Sequence, residues 1–315
     1  MATTYVDIRN TPPPPDWGVT VSQRAITALA ERWADREFPL PSWDYKGLPT
    51  GLDDDNWYNM AVAGCSVLAC IWPPEGDAMW STHFEGEDLV DAPAVFSCFT
   101  RRIENGRLDL SMFGRLTAAE FFAGSGTLLL RDEKWDQLCD AAAAITSRWG
   151  GSVANLVADA EFDAERIADL LAATIPGFHD APESPLGALP FFKLARLATA
   201  IMSAGGSTDF SGLGNLPLYP DYMLPRVLRD YGIMVYAEEL AAAVDTRALI
   251  EKESPWELAI RWATVYSGDR LTDALRERGA DVIPPALDYA LWESAVLGPE
   301  ADSLGEHHRT LTLAY

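Results

Sequence analysis

The sequence predicts a mainly α-helical protein, folded as a single globular unit with a small β element in its N-terminal third. Three observations predict it. Apolar residues recur at helical spacing through most of the chain after Asp88. Helix breakers separate these runs at Gly106, Gly124-Ser125-Gly126, Gly150-Gly151, Pro176-Gly177, Pro182–Pro185, Gly205-Gly206 and Gly279. Of the 315 residues 48% are hydrophobic, with Trp 11, Phe 12 and Tyr 10, which is ample for a large core; no repeat of fixed period is visible.

Residues 1–20 read as an extended, proline-rich lead-in, with the proline run between Thr11 and Asp16. Ser22 caps a helix running to Arg36, with Ile26, Leu29, Ala30 and Trp33 on one face. Pro39, Pro41, Pro49 and Gly51 break residues 39–56 into loop, ending in Asp53-Asp54-Asp55. The uncharged run Trp57–Trp72 fits a buried helix or strand and stops at Pro73-Pro74; Met79–Phe84 fits a short strand. The β element is therefore expected within 57–84. Helices are expected over 88–104, 117–123, 132–149, 152–160, 163–175, 189–204, 221–231, 236–249, 254–278 and 284–297. Gly124-Ser125-Gly126-Thr127 lacks the Lys-Ser/Thr and the preceding strand of a phosphate loop.

Charge narrows the partners. Lys+Arg 24 against Asp+Glu 47 leaves a net charge of −23, a field that repels nucleic acid and anionic membranes. A small phosphate held by a few local cations is still compatible with it. The four cysteines, Cys65, Cys70, Cys98 and Cys139, have no Cys-x-x-Cys spacing and read as reduced, buried thiols of a cytoplasmic protein. With four histidines no zinc site of the usual types is expected, and neither a metal nor a cofactor is implied. No apolar run reaches 18 residues, and the N-terminus has no signal-peptide pattern.

Candidate chemistry concentrates in 189–298. In Asp281–Trp292, Pro284-Pro285 suit the first turn of a helix, and Asp288 follows one turn in with Leu291 and Trp292 on its face. An acid near a helix N-terminus serves as a dipole partner and stays ionised at neutral pH; one on an apolar, aromatic stripe is costly unless paired or used. Lys193 directly follows Phe191-Phe192 and precedes Arg196, as a snorkelling lysine or as a cation facing a pocket. Asp209-Phe210 follows Gly205-Gly206: a turn cap, or a carboxylate and ring that suit the donor edge of a base. Tyr222, Arg226 and Arg229 are candidate phosphate or ribose contacts, the arginines alternatively pairing with Asp221 or Asp230. Glu257 and Arg261 stand i,i+4 and suit a structural pair.

These segments resemble, in order, motifs of the queuosine salvage proteins, which are queuosine 5′-phosphate N-glycosylases/hydrolases. Leu287-Asp288-Tyr289-Ala290-Leu291-Trp292 is similar to their Asp-Tyr/Trp-x-Leu-Trp. Phe191–Arg196 is similar to Phe-x-Lys-Arg-Ala-Gln, keeping Lys193 but carrying Leu194 and Arg196 where the family has Arg and Gln. Tyr219–Gly232 resembles Ala-Asp-Tyr-x-x-Pro-x-x-Leu, and Glu257–Arg261 resembles Glu-x-Glu-Ile-Arg. The ending His307-His308-Arg309 through Tyr315 is also similar, though from sequence alone it equally fits a disordered tail. The N-terminal third departs: Val67–Trp72 replaces Asn-Phe-Cys-Phe-Trp, and the family's N-terminal histidine has no clear counterpart near Tyr45 or Lys46.

The resemblance implies a core like that of helix-hairpin-helix DNA glycosylases, with the stretch around Gly232 as its hairpin. It implies hydrolysis of the N-glycosidic bond of queuosine 5′-monophosphate, releasing queuine and ribose 5-phosphate. Asp288 is then the catalytic carboxylate. Lys193, Asp209, Phe210, Tyr222, Arg226, Arg229, Tyr289 and Trp292 bind substrate, and Glu257 and Arg261 support them. Tyr45, Phe192, His308 and Arg309 are further candidates. Two rivals stand beside this reading: a glycosylase or ribosyl transferase for another modified nucleotide, and a helical interaction scaffold without catalysis.

Overall fold

The computed structural model describes residues 3–43, 46–298 and 301–315. In chain order the elements are β1 (Val19–Val21), α1 (Gln23–Arg32), α2 (Asp54–Cys65), β2 (Ser81–Phe84), β3 (Glu87–Val90), α3 (Asp91–Thr100), α4 (Ala118–Phe121), α5 (Arg131–Trp149), α6 (Val153–Asp159) and α7 (Ala164–Thr174). They continue with β4 (Glu183–Ser184), β5 (Gly187–Ala188), α8 (Lys193–Gly205), α9 (Met223–Asp230), β6 (Met234–Tyr236), α10 (Glu238–Asp245), α11 (Pro255–Arg276) and α12 (Pro284–Val296). The fold is mainly α, as the periodicity requires. The strands form two-stranded antiparallel pairs, β1 with β6, β2 with β3 and β4 with β5. None of the described helices is long and apolar enough to cross a membrane.

Internal packing divides the chain into two interleaved units. The first holds the described residues up to Pro41, Asp180–Lys193 and Gly212–Leu311. Its core is aliphatic: Val19, Ile26 and Leu29 meet Leu224, Leu228, Ile260, Ala263, Leu271, Leu275, Leu287 and Leu291. The central helix α11 is buried nearly all round, including Glu257, Arg261, Trp262 and Ser267, as expected of a helix in the middle of a core. Ser254 caps it by accepting the Glu257 N–H at 3.4 Å. Helix α9 packs on α12, and that pairing brings their site residues together.

The second unit holds Ser42–His179, Leu194–Ser211 and Thr312–Tyr315. An aromatic cluster of Phe99, Phe113, Phe121, Phe122 and Trp135 centres one part of its core, with edge-to-face contacts such as Phe99–Phe121 at 4.9 Å. All four cysteines are free thiols; Cys139 is half-buried rather than buried.

Several boundaries differ from the sequence reading. The Asp53-Asp54-Asp55 run is not the end of a loop: Asp53 caps α2 by accepting from the Asn56 N–H at 3.0 Å, so Trp57–Cys65 is helix and the β element is confined to the hairpin β2–β3. The expected helix 88–104 begins only at Asp91, because Glu87–Val90 completes that hairpin. The Gly124–Thr127 stretch bonds to the same strand, Ser125 and Ser81 exchanging both backbone bonds at 2.8 Å. The segment after α9 is not a helix–Gly–helix hairpin. Gly232, at φ 68°, ends α9, and Met234–Tyr236 then runs extended as β6 against β1. Branched and aromatic residues suit that half-buried ribbon, and no local periodicity signals it.

Candidate active site

The turn Leu218-Tyr219-Pro220-Asp221 leads into α9. Asp221 Oδ1 accepts the N–H groups of Met223 at 2.8 Å and Leu224 at 2.9 Å, filling donors that the first turn of a helix leaves open. One helix away, Asp288 lies in the second turn of α12, whose start the paired prolines set. The Tyr219 N–H donates to Asp288 Oδ2 at 2.8 Å. The bond brings Asp288 to the turn that carries Asp221, close enough for the Asp221 charge to act on it.

Both carboxyls are surrounded by protein yet keep part of their surface accessible. Burial pushes Asp288 well above the usual carboxylate range, the Asp221 charge pushes it further, and the Tyr219 N–H and the Lys193 ammonium oppose this. Burial also raises Asp221, against the Lys193 ammonium and the N–H groups of Leu224 and Met223. These influences act against the ionisation of Asp288 that the dipole of α12 was expected to favour. Asp288 is past the first turn, where the dipole field has faded, and desolvation with a like charge dominates.

Lys193, the first residue of α8, is buried at 4% exposure. Its charge reaches both carboxyls. Among the described residues its ammonium makes no hydrogen bond. Two acids and one buried cation form a charged cluster. Asp221, read from sequence only as an arginine partner, belongs to this cluster. The signal was there: it stands on an apolar, aromatic stretch, the same reason that singled out Asp288.

A second buried network lies behind Lys193. The Arg261 guanidinium binds both oxygens of Asp180, one at 3.1 Å, and lies 3.5 Å from Glu257. It stacks on the Phe191 ring at 4.0 Å. Side-chain exposures of 1–4% make this an internal ion network, consistent with the structural pairing read for Glu257 and Arg261. His308 is buried nearby and pushed down to about 3, by burial first and then by the charges of His307 and Arg261.

The other candidates are distributed as follows. Tyr289 and Trp292 stack at 5.9 Å with a 19° tilt, one turn apart on the helix that carries Asp288. Tyr222 packs against His307 at 5.0 Å, and burial holds His307 down to about 4. Arg226 does not pair with Asp221 or Asp230. It donates to the carbonyls of Ala301, Leu304 and Gly305 and so fastens the C-terminal segment. Arg229 pairs with Asp245 through both terminal nitrogens, at 2.7 and 3.0 Å. Arg309 is buried and pairs backbone with Ile250, so the ending is folded rather than a loose tail. Phe192 is half-buried, its ring edge-on to Tyr5 at 6.0 Å. In the second unit, Asp209 is exposed while Phe210 is buried against Tyr58 at 5.7 Å. Tyr45 lies outside the described residues.

Comparison with known proteins identifies the family. The profile of the queuosine salvage protein family matches residues 68–315, a span that includes Lys193, Asp221 and Asp288. A protein of Sphaerobacter thermophilus named queuosine 5′-phosphate N-glycosylase/hydrolase is 28% identical over 306 residues, covering 94% of this chain and 93% of its own. Proteins of the same name from Dictyostelium discoideum (25% identical, 94% of this chain and 89% of theirs) and Mus musculus (25%, 79% of each) are also similar. The chain belongs to the queuosine salvage protein family.

Proposed function

We propose that this protein hydrolyses the N-glycosidic bond of queuosine 5′-monophosphate, yielding queuine and ribose 5-phosphate, and that it works in the cytoplasm. The names of the relatives supply the substrate; the free thiols are consistent with a reducing compartment. The observation that carries the chemistry is the Asp221–Asp288 pair with Lys193 beside it.

Breaking C1′–N9 sends the bonding pair to the base and leaves positive charge on the ribose. Queuine is a 7-deazaguanine and offers no N7 to protonate, so the departing base needs another donor. Two coupled carboxyls in one desolvated site are pushed toward holding one proton between them. Asp288, which accepts one backbone N–H where Asp221 accepts two, carries it in this reading and donates to the leaving base. Asp221, whose charge is favoured by two N–H groups, stays ionised and stabilises the ribose cation. Water then adds to C1′ and its proton returns to Asp288. Lys193 keeps the second carboxyl from protonating. The stacked Tyr289–Trp292 pair offers an aromatic face to the base. A phosphate role for Arg226 or Arg229 requires each to exchange the protein acceptors it now holds.

The test is direct: purified protein is incubated with queuosine 5′-monophosphate and free queuine is followed by mass spectrometry. Release at a rate lost in Asp288→Ala and Asp221→Ala supports the reading. No release from folded wild-type protein sinks it.

A further inference from the structure

Asp180 touches neither carboxyl of the site, yet the segment carrying Lys193 is built on it. Asp180 and Phe192 close a short loop. The β4–β5 hairpin forms its body, and Leu189 N–H donates to the Pro182 carbonyl at 2.9 Å. At the neck, the Phe192 N–H donates to the Asp180 carbonyl at 2.9 Å and the Lys193 N–H reaches Asp180 Oδ2 at 3.4 Å. Phe192 is held at φ 44° between them. A left-handed conformation is costly for a residue with a bulky side chain and persists only where its surroundings over-determine it. Here it sets the direction in which α8 starts, and so where the Lys193 side chain goes.

The network gripping Asp180 is unlike one selected for stability alone. A buried ion pair adds little over well-packed apolar residues, because desolvation offsets its attraction. What Arg261 does supply is direction: it takes both Asp180 oxygens in a fork, is packed on Phe191 and lies beside Glu257. Phe191, Phe192 and Lys193 are consecutive, so one guanidinium and one carboxylate fix three successive residues.

We propose that Asp180, clamped by Arg261, is a positioning residue that holds Lys193 against the Asp221–Asp288 pair, acting through the backbone of Phe192 and Lys193. This rests on the function proposed above only for its effect on turnover; the placement of Lys193 is testable without substrate. Among the described residues, the charges that act on the pair are Lys193 and, on Asp288, the Asp221 carboxyl. Displacing Lys193 therefore has one electrostatic consequence: both carboxyls lose their cation and hold protons to higher pH.

The experiment compares wild type, Asp180→Asn and Lys193→Met by carbon-13 NMR of carboxyl-labelled aspartate, alongside pH–rate profiles with queuosine 5′-monophosphate. Asp180→Asn is expected to raise the titration of Asp221 and Asp288 in the same direction as Lys193→Met, by about one pH unit. The double variant should add nothing further. In turnover, kcat should fall about 10- to 100-fold with KM little changed, and the acidic limb should move to higher pH. If Asp180→Asn does not fold, Asp180→Glu keeps the charge, moves it by one methylene and should give the same shift. Unchanged carboxyl titration in a folded Asp180 variant overturns the proposal, even if its melting temperature drops. Shifted titration in a protein that never releases queuine would remove the proposed substrate and leave the positioning role standing.

Discussion

The backbone N–H of Tyr219 donates to the carboxylate of Asp288 at 2.8 Å across 69 positions of sequence. That one bond joins the turn before α9 to the second turn of α12. It also explains why two acids lie together: Asp221 follows Tyr219 by two residues, so anchoring one carboxyl brings the other. Bringing like charges together in a desolvated place is unfavourable, and the cost appears as raised proton affinity on both.

Removing the charge of Asp221 should lower the titration of Asp288. In Asp221→Asn the like charge is gone while Met223 and Leu224 can still donate to the amide oxygen. Carbon-13 NMR should show Asp288 releasing its proton at lower pH than in wild type, though still above the ordinary value because burial remains. Turnover should drop on the order of 10³-fold, since the ionised partner is lost.

Asp288→Asn should make the protein more stable at neutral pH and inactive. The sign follows from linkage. The folded-state affinity of Asp288 for its proton is raised, so the folded protein binds more protons than the unfolded chain between about pH 3.9 and its own titration. The stability from this group is full below that window and is lost as pH rises through the folded value. The asparagine oxygen keeps the Tyr219 bond and has nothing to ionise. Thermal melts should show a higher midpoint than wild type at pH 7 and a shrinking difference toward pH 4.

Gly268→Ala should impair the site from behind. A Cβ at Gly268 on α11 would lie 2.6 Å from the side chain of Leu218, which is fully buried, so the leucine or the helix must shift. The strain should cost about 1–3 kcal/mol by urea denaturation. Leu218 precedes Tyr219, so kcat should also fall, whereas a conservative change far from this turn would affect stability alone.

Arg229→Ala separates a substrate contact from a surface pair. The guanidinium already binds Asp245, whose side chain is 53% exposed, and lies over the Tyr236 ring at 4.9 Å. The expected loss is about 0–1 kcal/mol of stability, with KM for the nucleotide within a factor of two of wild type. A tenfold rise in KM would instead mean that Arg229 turns to the phosphate when substrate binds.

Much of the helical framework was legible in the sequence because its causes are local. Ser22 and Ser254 cap the helices their positions announce, the paired prolines start α12, and apolar spacing marks the faces of α5, α7 and α11. Asp288 and Lys193 stood out too, as charged residues on apolar stretches, and the fold brings the charge of one to bear on the other. What local pattern does not encode is which distant segment completes a site. The strand Met234–Tyr236 exists only because β1 is there to pair with it. Asp221 becomes a site residue only because α9 packs on α12 and Tyr219 reaches Asp288. The proton affinity of Asp288 is pushed the opposite way from its local reading, by burial and by a like charge that no local pattern announces. Propensity, capping and amphipathic spacing act over a few residues and can be read from the chain. Desolvation and charge coupling depend on what the packed chain places within a few ångströms, and only the tertiary structure decided those.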